Sequence, residues 1–188
     1  LHFSQYYDFY RPVMGSLRHC SRVLIEDVTL ENSPAWNVHP YFCHDLTVRN
    51  AVISNPYYAQ NGDGIDVDSC ERVEIHHCSF NVGDDGICIK SGKNKEARKI
   101  LGPSKDIYIH NCYVGFSHGG FVIGSEMSRG VSNVLVEDCT FVNSDVGVRI
   151  KSALGRGGIV ENIEIRRVNM LNIKEEAVIL NMDYVHNI

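Results

Sequence analysis

The chain has 188 residues, a formal net charge of −5 and a hydrophobic fraction of 44%. This length suits one domain with a sizeable core, and the acidic balance argues against a general nucleic-acid binder. No apolar run approaches the roughly 20 residues that are needed to span a membrane. We therefore expect neither a nucleic-acid partner nor a membrane partner.

Six nine-residue segments share one pattern, which predicts short strands. Apolar residues occupy the second, fourth, seventh and ninth places, and two polar residues between them turn the chain. The segments are RVLIEDVTL (22–30), DLTVRNAVI (45–53), RVEIHHCSF (72–80), DIYIHNCYV (106–114), NVLVEDCTF (133–141) and NIEIRRVNM (162–170). A motif that returns every 23 to 34 positions is typical of a solenoid.

Six further short segments also alternate in polarity, and one of them follows each nine-residue segment. These segments are AWNVHP (35–40), GIDVDS (64–69), GICIKS (86–91), GFVIGS (120–125), GVRIKS (147–152) and AVILNM (177–182). No segment has the periodicity of an amphipathic helix. We therefore predict an all-β protein, a right-handed parallel β-helix, with about six coils between residues 20 and 182.

The parallel β-helix is predicted to form a single domain over residues 1–188. Residues 1–19 form a tyrosine-rich lead-in without clear periodicity. Because the repeat is cut off in mid-pattern at both ends, we expect a fragment of a longer β-helix, truncated at both ends.

The seven cysteines are an odd number, which excludes a complete disulfide framework. Six of them recur at equivalent places in the repeat, and no CxxC pair occurs. This arrangement predicts a stacked row of small buried side chains rather than a metal site.

Aspartates gather where the second segments begin. Overlaying GIDVDS on GICIKS without gaps sets Asp63 against Asp85 and leaves Asp84 one place earlier. Neighbouring strands lie about 4.8 Å apart, so the three carboxylates are predicted to lie close together. Crowded carboxylates cannot all ionise easily, and one of them should keep its proton.

Alternation along the second segments assigns their faces. In the first coil, Trp36 and Val38 are predicted to point inward, in register with Ile65 and Val67. The outward positions of the later coils include Lys90, Gly124, Arg149 and Lys151.

Four ordered motifs resemble a known family. They are N-x-D-G from Asn61, G-D-D from Gly83, H-G at His118 with Gly119, and R-I-K from Arg149. In this order on matching coils, the set resembles glycoside hydrolase family 28, the polygalacturonase family, whose fold is a parallel β-helix. The phrases DGIDVDSC and HGGFVIGSEMS look like its bacterial, exo-acting branch, although Gly62 stands where many members have threonine.

The resemblance implies hydrolysis of α-1,4-galacturonosyl linkages in pectin by an inverting general acid/base mechanism, with no cofactor and no metal. Asp84 would be the general acid, and Asp63 with Asp85 would activate the water. His118 would tune the protonation and orientation of the acid.

Six residues are predicted to bind the substrate. Arg149 and Lys151 would bind its carboxylate, and Gly124 would form a floor between the flanking lysines. The full set is Arg149, Lys151, Asn61, Gly119, Lys90 and Gly124. Tyr57 and Tyr58, in the loop before Asn61, are further candidates for stacking on a sugar.

Other functions remain open at this point. Rhamnogalacturonan or another decorated pectin is an alternative substrate, a pectin lyase is an alternative enzyme, and a non-catalytic adhesin is an alternative class. The resemblance implies a monomer that meets a pectic polysaccharide or oligogalacturonide, secreted or in the periplasm.

Overall fold

A computed structural model describes residues 11–184 of the chain, so the first part of the tyrosine-rich lead-in lies outside the described residues. Three parallel sheets run along the described chain, one with seven strands and two with six. Each coil contributes one strand to each sheet. The predicted all-β parallel β-helix is confirmed.

Strands are numbered in chain order. The front sheet contains β1 (Gly15–Arg18), β4 (Val38–Tyr41), β7 (Ile65–Asp68), β10 (Ile87–Lys90), β13 (Gly119–Ile123), β16 (Val146–Lys151) and β19 (Val178–Asn181). The second sheet contains β2 (Ser21–Glu26), β5 (His44–Arg49), β8 (Glu71–His76), β11 (Ser104–His110), β14 (Val131–Glu137) and β17 (Val160–Arg166). The third contains β3 (Thr29–Glu31), β6 (Val52–Ser54), β9 (Ser79–Asn81), β12 (Tyr113–Val114), β15 (Thr140–Val142) and β18 (Asn169–Leu171).

The connections contain one short helix, α1 (Asn94–Ala97), in the loop after β10. Residues 11–184 include no helix that is long and apolar enough to cross a membrane.

Each nine-residue segment divides into two strands at its sixth place. The residues there all have a positive φ of 50° to 55°, and they are Asp27, Asn50, His77, Asn111, Asp138 and Arg167. Asparagine and aspartate tolerate this left-handed conformation better than other residues with side chains. The two polar residues of the pattern therefore turn the chain from the second sheet into the third, as predicted.

The core is a set of stacked apolar side chains inside the coils. Phe80, Phe121 and Phe141 are fully buried. All seven cysteines are free, six of them are buried, and Cys20 is partly buried. The predicted row of small buried cysteine side chains is confirmed. For example, Cys70 and Cys43 occupy neighbouring coils, and the Cys43 amide donates to the Cys70 sulfur at 3.3 Å.

The lead-in contains β1, which pairs with β4. One prediction about the first coils is wrong. The register of the first coil is shifted, since Val38 pairs with Ile65 and not with Val67. Trp36 therefore precedes β4 and does not point inward from it. The segment AWNVHP has apolar residues at both Trp36 and Val38, so an alignment by pattern alone placed this strand two residues too early.

Candidate active site

The predicted acids lie where the chain enters the front sheet. The amide of Gly64 donates to the carbonyl of Asp85 at 2.9 Å, and the amide of Gly86 donates to that of Gly119 at 2.8 Å. These bonds place Asp63, Asp85 and Gly119 at equivalent positions on three successive coils. A Cβ at Gly64 would overlap the carbonyl oxygen of Gly86, so glycine is needed for this close approach.

The three aspartates form one cluster. One carboxylate oxygen from each of Asp63, Asp84 and Asp85 lies within 4.8 Å of the other two. Asp63 and Asp85 are buried, whereas 20% of the Asp84 side chain is exposed. Asp84 is therefore the member of the cluster that a ligand on the surface can reach.

His118 is attached to Asp84 from the next coil. Its Nδ1 lies 3.3 Å from Oδ1 of Asp84, and its amide donates to the Asp84 carbonyl at 2.9 Å. The amide of Asp85 donates to the same Oδ1 at 3.0 Å. Asp84 is thus oriented by the histidine that the sequence assigned to it.

Two buried lysines compensate the acids. Nζ of Lys151 lies 2.7 Å from Oδ2 of Asp85. Nζ of Lys90 lies 3.1 Å from Oε2 of Glu126 and 3.5 Å from Oδ1 of Asp66. Among residues 11–184, the aspartate cluster is the only group of three or more ligand side chains close enough to hold a metal ion. Within this cluster, the Lys151 ammonium compensates the charge of Asp85.

Burial and neighbouring charges set the protonation of the cluster. Burial, followed by the charges of Asp66 and Asp84, raises the pKa of Asp63 well above its ordinary value of 3.8. Burial opposes the ionisation of Asp84, but the hydrogen bond and charge of His118 outweigh it and lower the pKa of Asp84. These shifts favour the protonated form of Asp63 more than that of Asp84, in the direction of the expectation that the crowded carboxylates do not all ionise equally.

Aromatic rings pack against the cations of the site. Nζ of Lys90 lies 5.0 Å from the ring centroid of Trp36. Nζ of Lys151 and the guanidinium carbon of Arg149 lie 4.7 Å and 5.3 Å from the ring centroid of Tyr184. Cations stack favourably on such rings.

The three aspartates and the two buried lysines line a cleft with a volume of about 120 Å³. Its lining residues are Trp36, Asn61, Asp63, Asp84, Asp85, Lys90, Ser125, Glu126, Lys151 and Tyr184. Sequence reasoning missed Trp36, Ser125, Glu126 and Tyr184. The acidic residue in the phrase GSEMS was the only sequence signal for Glu126. Trp36 was missed because the predicted register assigned it to the core.

The predicted substrate-binding residues occupy different positions. Asn61, Lys90 and Lys151 line the cleft, and Gly119 is buried beside Asp85. Gly124 does not line it. Its φ is +91°, and a Cβ there would overlap the carbonyl oxygen of Lys151. The expected sugar-bearing floor at Gly124 is therefore not part of the cleft, because the chain turns there and presents Ser125 and Glu126 instead.

Arg149 lies beside this cleft and is only partly buried. Its Nε is buried and has no hydrogen-bond partner among the described residues. Its guanidinium lies against the ring of Tyr184, which lines the cleft.

A parallel β-helix with an aspartate cluster, contacted by a histidine and a buried lysine, offers the carboxyl groups that glycoside hydrolases of this architecture use. A family model described as glycosyl hydrolases family 28 matches residues 10–187. The chain belongs to this family, and the resemblance inferred from the four motifs is confirmed.

Individual relatives agree with this assignment. The chain is 36% identical over 166 residues to a probable polygalacturonase of Vitis vinifera, covering 87% of this chain and 34% of the relative. It is 32% identical over 177 residues to an exo-poly-alpha-D-galacturonosidase of Dickeya chrysanthemi, covering 94% of this chain and 29% of the relative. It thus spans about a third of the length of these curated relatives.

A solved structure is similar as well. The hyperthermoactive exopolygalacturonase from Thermotoga maritima superposes with a TM-score of 0.91 at 39% sequence identity. The match covers 94% of this chain and 40% of that protein.

Proposed function

We propose that this protein hydrolyses α-1,4-galacturonosyl linkages of polygalacturonan by general acid/base catalysis. The observation that carries the proposal is the cluster of Asp63, Asp84 and Asp85, whose oxygens lie within 4.8 Å of one another on the outer face of adjacent coils. Two carboxyl groups in different environments are what glycoside hydrolysis requires. Membership of family 28 and the names of the relatives support the substrate.

Exposure supports Asp84 as the general acid. It is the most exposed of the three, and a general acid must reach the leaving oxygen of the substrate. In the resting protein, the raised pKa of Asp63 keeps a proton within the cluster. A sugar that covers Asp84 removes water from it, which raises the pKa of Asp84 and favours transfer of that proton to it.

Asp63 and Asp85 are proposed to hold the attacking water. Oδ1 of each is buried and has no hydrogen-bond partner among the described residues. Two adjacent acceptors of this kind can orient one water molecule and take its proton. Lys151 keeps Asp85 in place through the contact at 2.7 Å.

Arg149 is the proposed ligand for the substrate carboxylate. Its Nε lacks a partner, whereas Nζ of Lys151 is already engaged by Asp85. Lys151 would therefore act on the substrate chiefly by positioning Asp85, and any contact with the carboxylate would be its second role.

Inversion at the anomeric carbon remains a prediction. Inverting enzymes typically separate their two carboxyl groups by about 6.5–9.5 Å, and retaining enzymes by about 5–5.5 Å. One oxygen of each acid lies within 4.8 Å of the other two, a nearest-atom distance that is shorter than the separation of the carboxyl groups and does not decide between the two mechanisms. A water held by two acids, as predicted for Asp63 and Asp85, favours inversion. The configuration of the first-formed product anomer distinguishes inversion from retention.

The test is incubation of the protein with polygalacturonate, with the products resolved by size. Hydrolysis yields saturated oligogalacturonides or monomer, and Asp84→Asn abolishes their formation. Products that absorb in the ultraviolet would instead identify a lyase. No product from polygalacturonate, with release of fragments from rhamnogalacturonan, would replace the proposed substrate by the decorated one. Since cell-wall pectin is a polymer outside the cytoplasm, we also infer that the protein is secreted or periplasmic.

A further inference from the structure

A second groove lies beside the cleft, on the side where the chain enters the front sheet. We call it the side groove. It has a volume of about 460 Å³, which falls in the range of about 300–1,000 Å³ that is usual for small-ligand sites. Tyr57, Val82, Phe116, His118, Asp145 and Lys174 are among the residues that line it.

The side groove borders the aspartate cluster through His118. His118 lines the groove, and its Nδ1 contacts Oδ1 of Asp84 at 3.3 Å. Gly83, which immediately precedes Asp84, also lines it. A ligand in the groove is therefore one residue away from the proposed general acid.

Aromatic side chains form exposed walls of the groove. Tyr57 is 77% exposed and Phe116 is 49% exposed. Large apolar side chains in this position leave solvent-facing ring surface, on which the apolar face of a sugar ring can pack. His118 and Asn143 add polar groups that can bond to hydroxyls.

The charges of the groove are already paired. Nζ of Lys174 lies 2.7 Å from Oδ1 of Asp145, so these opposite charges cancel. Unlike the neighbourhood of Arg149, the described lining of the groove thus presents no unpaired cation for a uronate carboxylate. Its chemistry suits an uncharged sugar.

We propose that the side groove is a subsite for an uncharged sugar that branches from the galacturonan backbone next to the cleaved bond. This inference rests on the proposed function, because it assigns the groove to the same substrate. Tyr57 and Phe116 would determine whether branched pectin is cleaved efficiently.

The experiment compares kcat/KM on unbranched polygalacturonate with kcat/KM on a galacturonan that carries single xylose branches. Phe116→Ala and Tyr57→Ala are each expected to lower the value on the branched polymer by roughly three- to tenfold, the size of one aromatic contact. For Phe116→Ala, the value on the unbranched polymer should change by less than about twofold, since Phe116 does not line the cleft that holds the aspartate cluster.

Tyr113→Ala is the matched control. Tyr113 lies in β12, is 42% exposed and does not line the groove. It should leave both values unchanged, and melting temperatures of all three variants should show that they fold.

The two proposals fail in different ways. A wild-type protein that cleaves neither polymer refutes the proposed function and the subsite with it. A wild-type protein that cleaves only polygalacturonate leaves the function in place and overturns the subsite. Equal losses on both polymers, or no loss on the branched one, would also overturn it.

Discussion

The buried ion pair between Lys151 and Asp85 allows a quantitative prediction about stability. Nζ of Lys151 lies 2.7 Å from Oδ2 of Asp85, and the two side chains are only 6% and 2% exposed. Burial favours the neutral amine, but the charge and hydrogen bond of Asp85 outweigh it and raise the pKa of Lys151. Lys151→Met keeps the aliphatic stem and removes this charge.

The cost of the substitution follows from the contact. At an effective dielectric constant of about 20, two unit charges 2.7 Å apart attract each other by about 6 kcal/mol. Part of this energy is offset by the cost of taking both charges out of water. Removing one partner of a buried pair strands the other, which costs about 3–5 kcal/mol. We therefore expect Lys151→Met to lower the free energy of unfolding by about 3–5 kcal/mol at neutral pH.

An exposed pair with the same distance provides the control. Nζ of Lys174 lies 2.7 Å from Oδ1 of Asp145, and these side chains are 59% and 29% exposed. Lys174→Met should cost at most about 1 kcal/mol, because exposed pairs are screened by water.

Denaturant unfolding of the wild type and of both single variants measures the difference. The double variant Lys151→Met with Asp85→Asn should recover most of the loss, since no charge is then stranded. A Lys151→Met variant no less stable than Lys174→Met would refute this reasoning, and so would a double variant whose losses simply add.

Three further predictions concern the acids and the turn behind them. Asp84→Asn should lower kcat by roughly 100- to 10,000-fold with an unchanged melting temperature; near wild-type turnover would exclude it as the acid. Because the pKa of Asp63 is raised in the folded state, its contribution to stability falls as pH rises above 3.8. Asp63→Asn should therefore raise the melting temperature more at about pH 8 than at about pH 4, and an equal change at both would contradict the shift. Gly124 and Gly155 both have a positive φ, but a Cβ at Gly155 meets nothing within 4 Å. Gly124→Ala should therefore destabilise the fold more than Gly155→Ala, and equal unfolding free energies of the two variants would contradict the overlap at Gly124.

NMR of the first-formed product anomer tests the stereochemistry. Inversion is expected from a water held by Asp63 and Asp85, and a retained configuration would rule that arrangement out.

The repeat could be predicted from the sequence because the stacking of coils requires similar residues at equivalent places. A residue inside one coil must match the residues above and below it, so apolar positions recur at fixed places. The partner of Val23 in the second sheet is Leu46, and that of Leu46 is Val73, as the pattern predicted. The ungapped overlay of GIDVDS on GICIKS likewise placed Asp63 against Asp85, because each of these aspartates directly precedes the glycine that begins its segment.

The same reasoning failed where one segment fitted the alternating pattern in two registers. The shift of β4 moved Trp36 from an expected core position to the wall of the cleft. Glu126 lies in the connection after β13 and Tyr184 lies just after β19, where neither strand alternation nor the repeat applies. Their positions depend on how each connection folds back over the front sheet.

The sequence by itself determined which residues repeat, which face of the front sheet bears the acids and which family motifs accompany them. Only the tertiary structure decided how the charges are shared. It paired Lys151 with Asp85, left Nε of Arg149 without a hydrogen-bond partner among the described residues and buried Asp63, which raises the pKa of that carboxyl group. The physical reason is that desolvation and ion pairing depend on everything that surrounds a group in space, whereas a repeat depends only on the residues stacked above and below it.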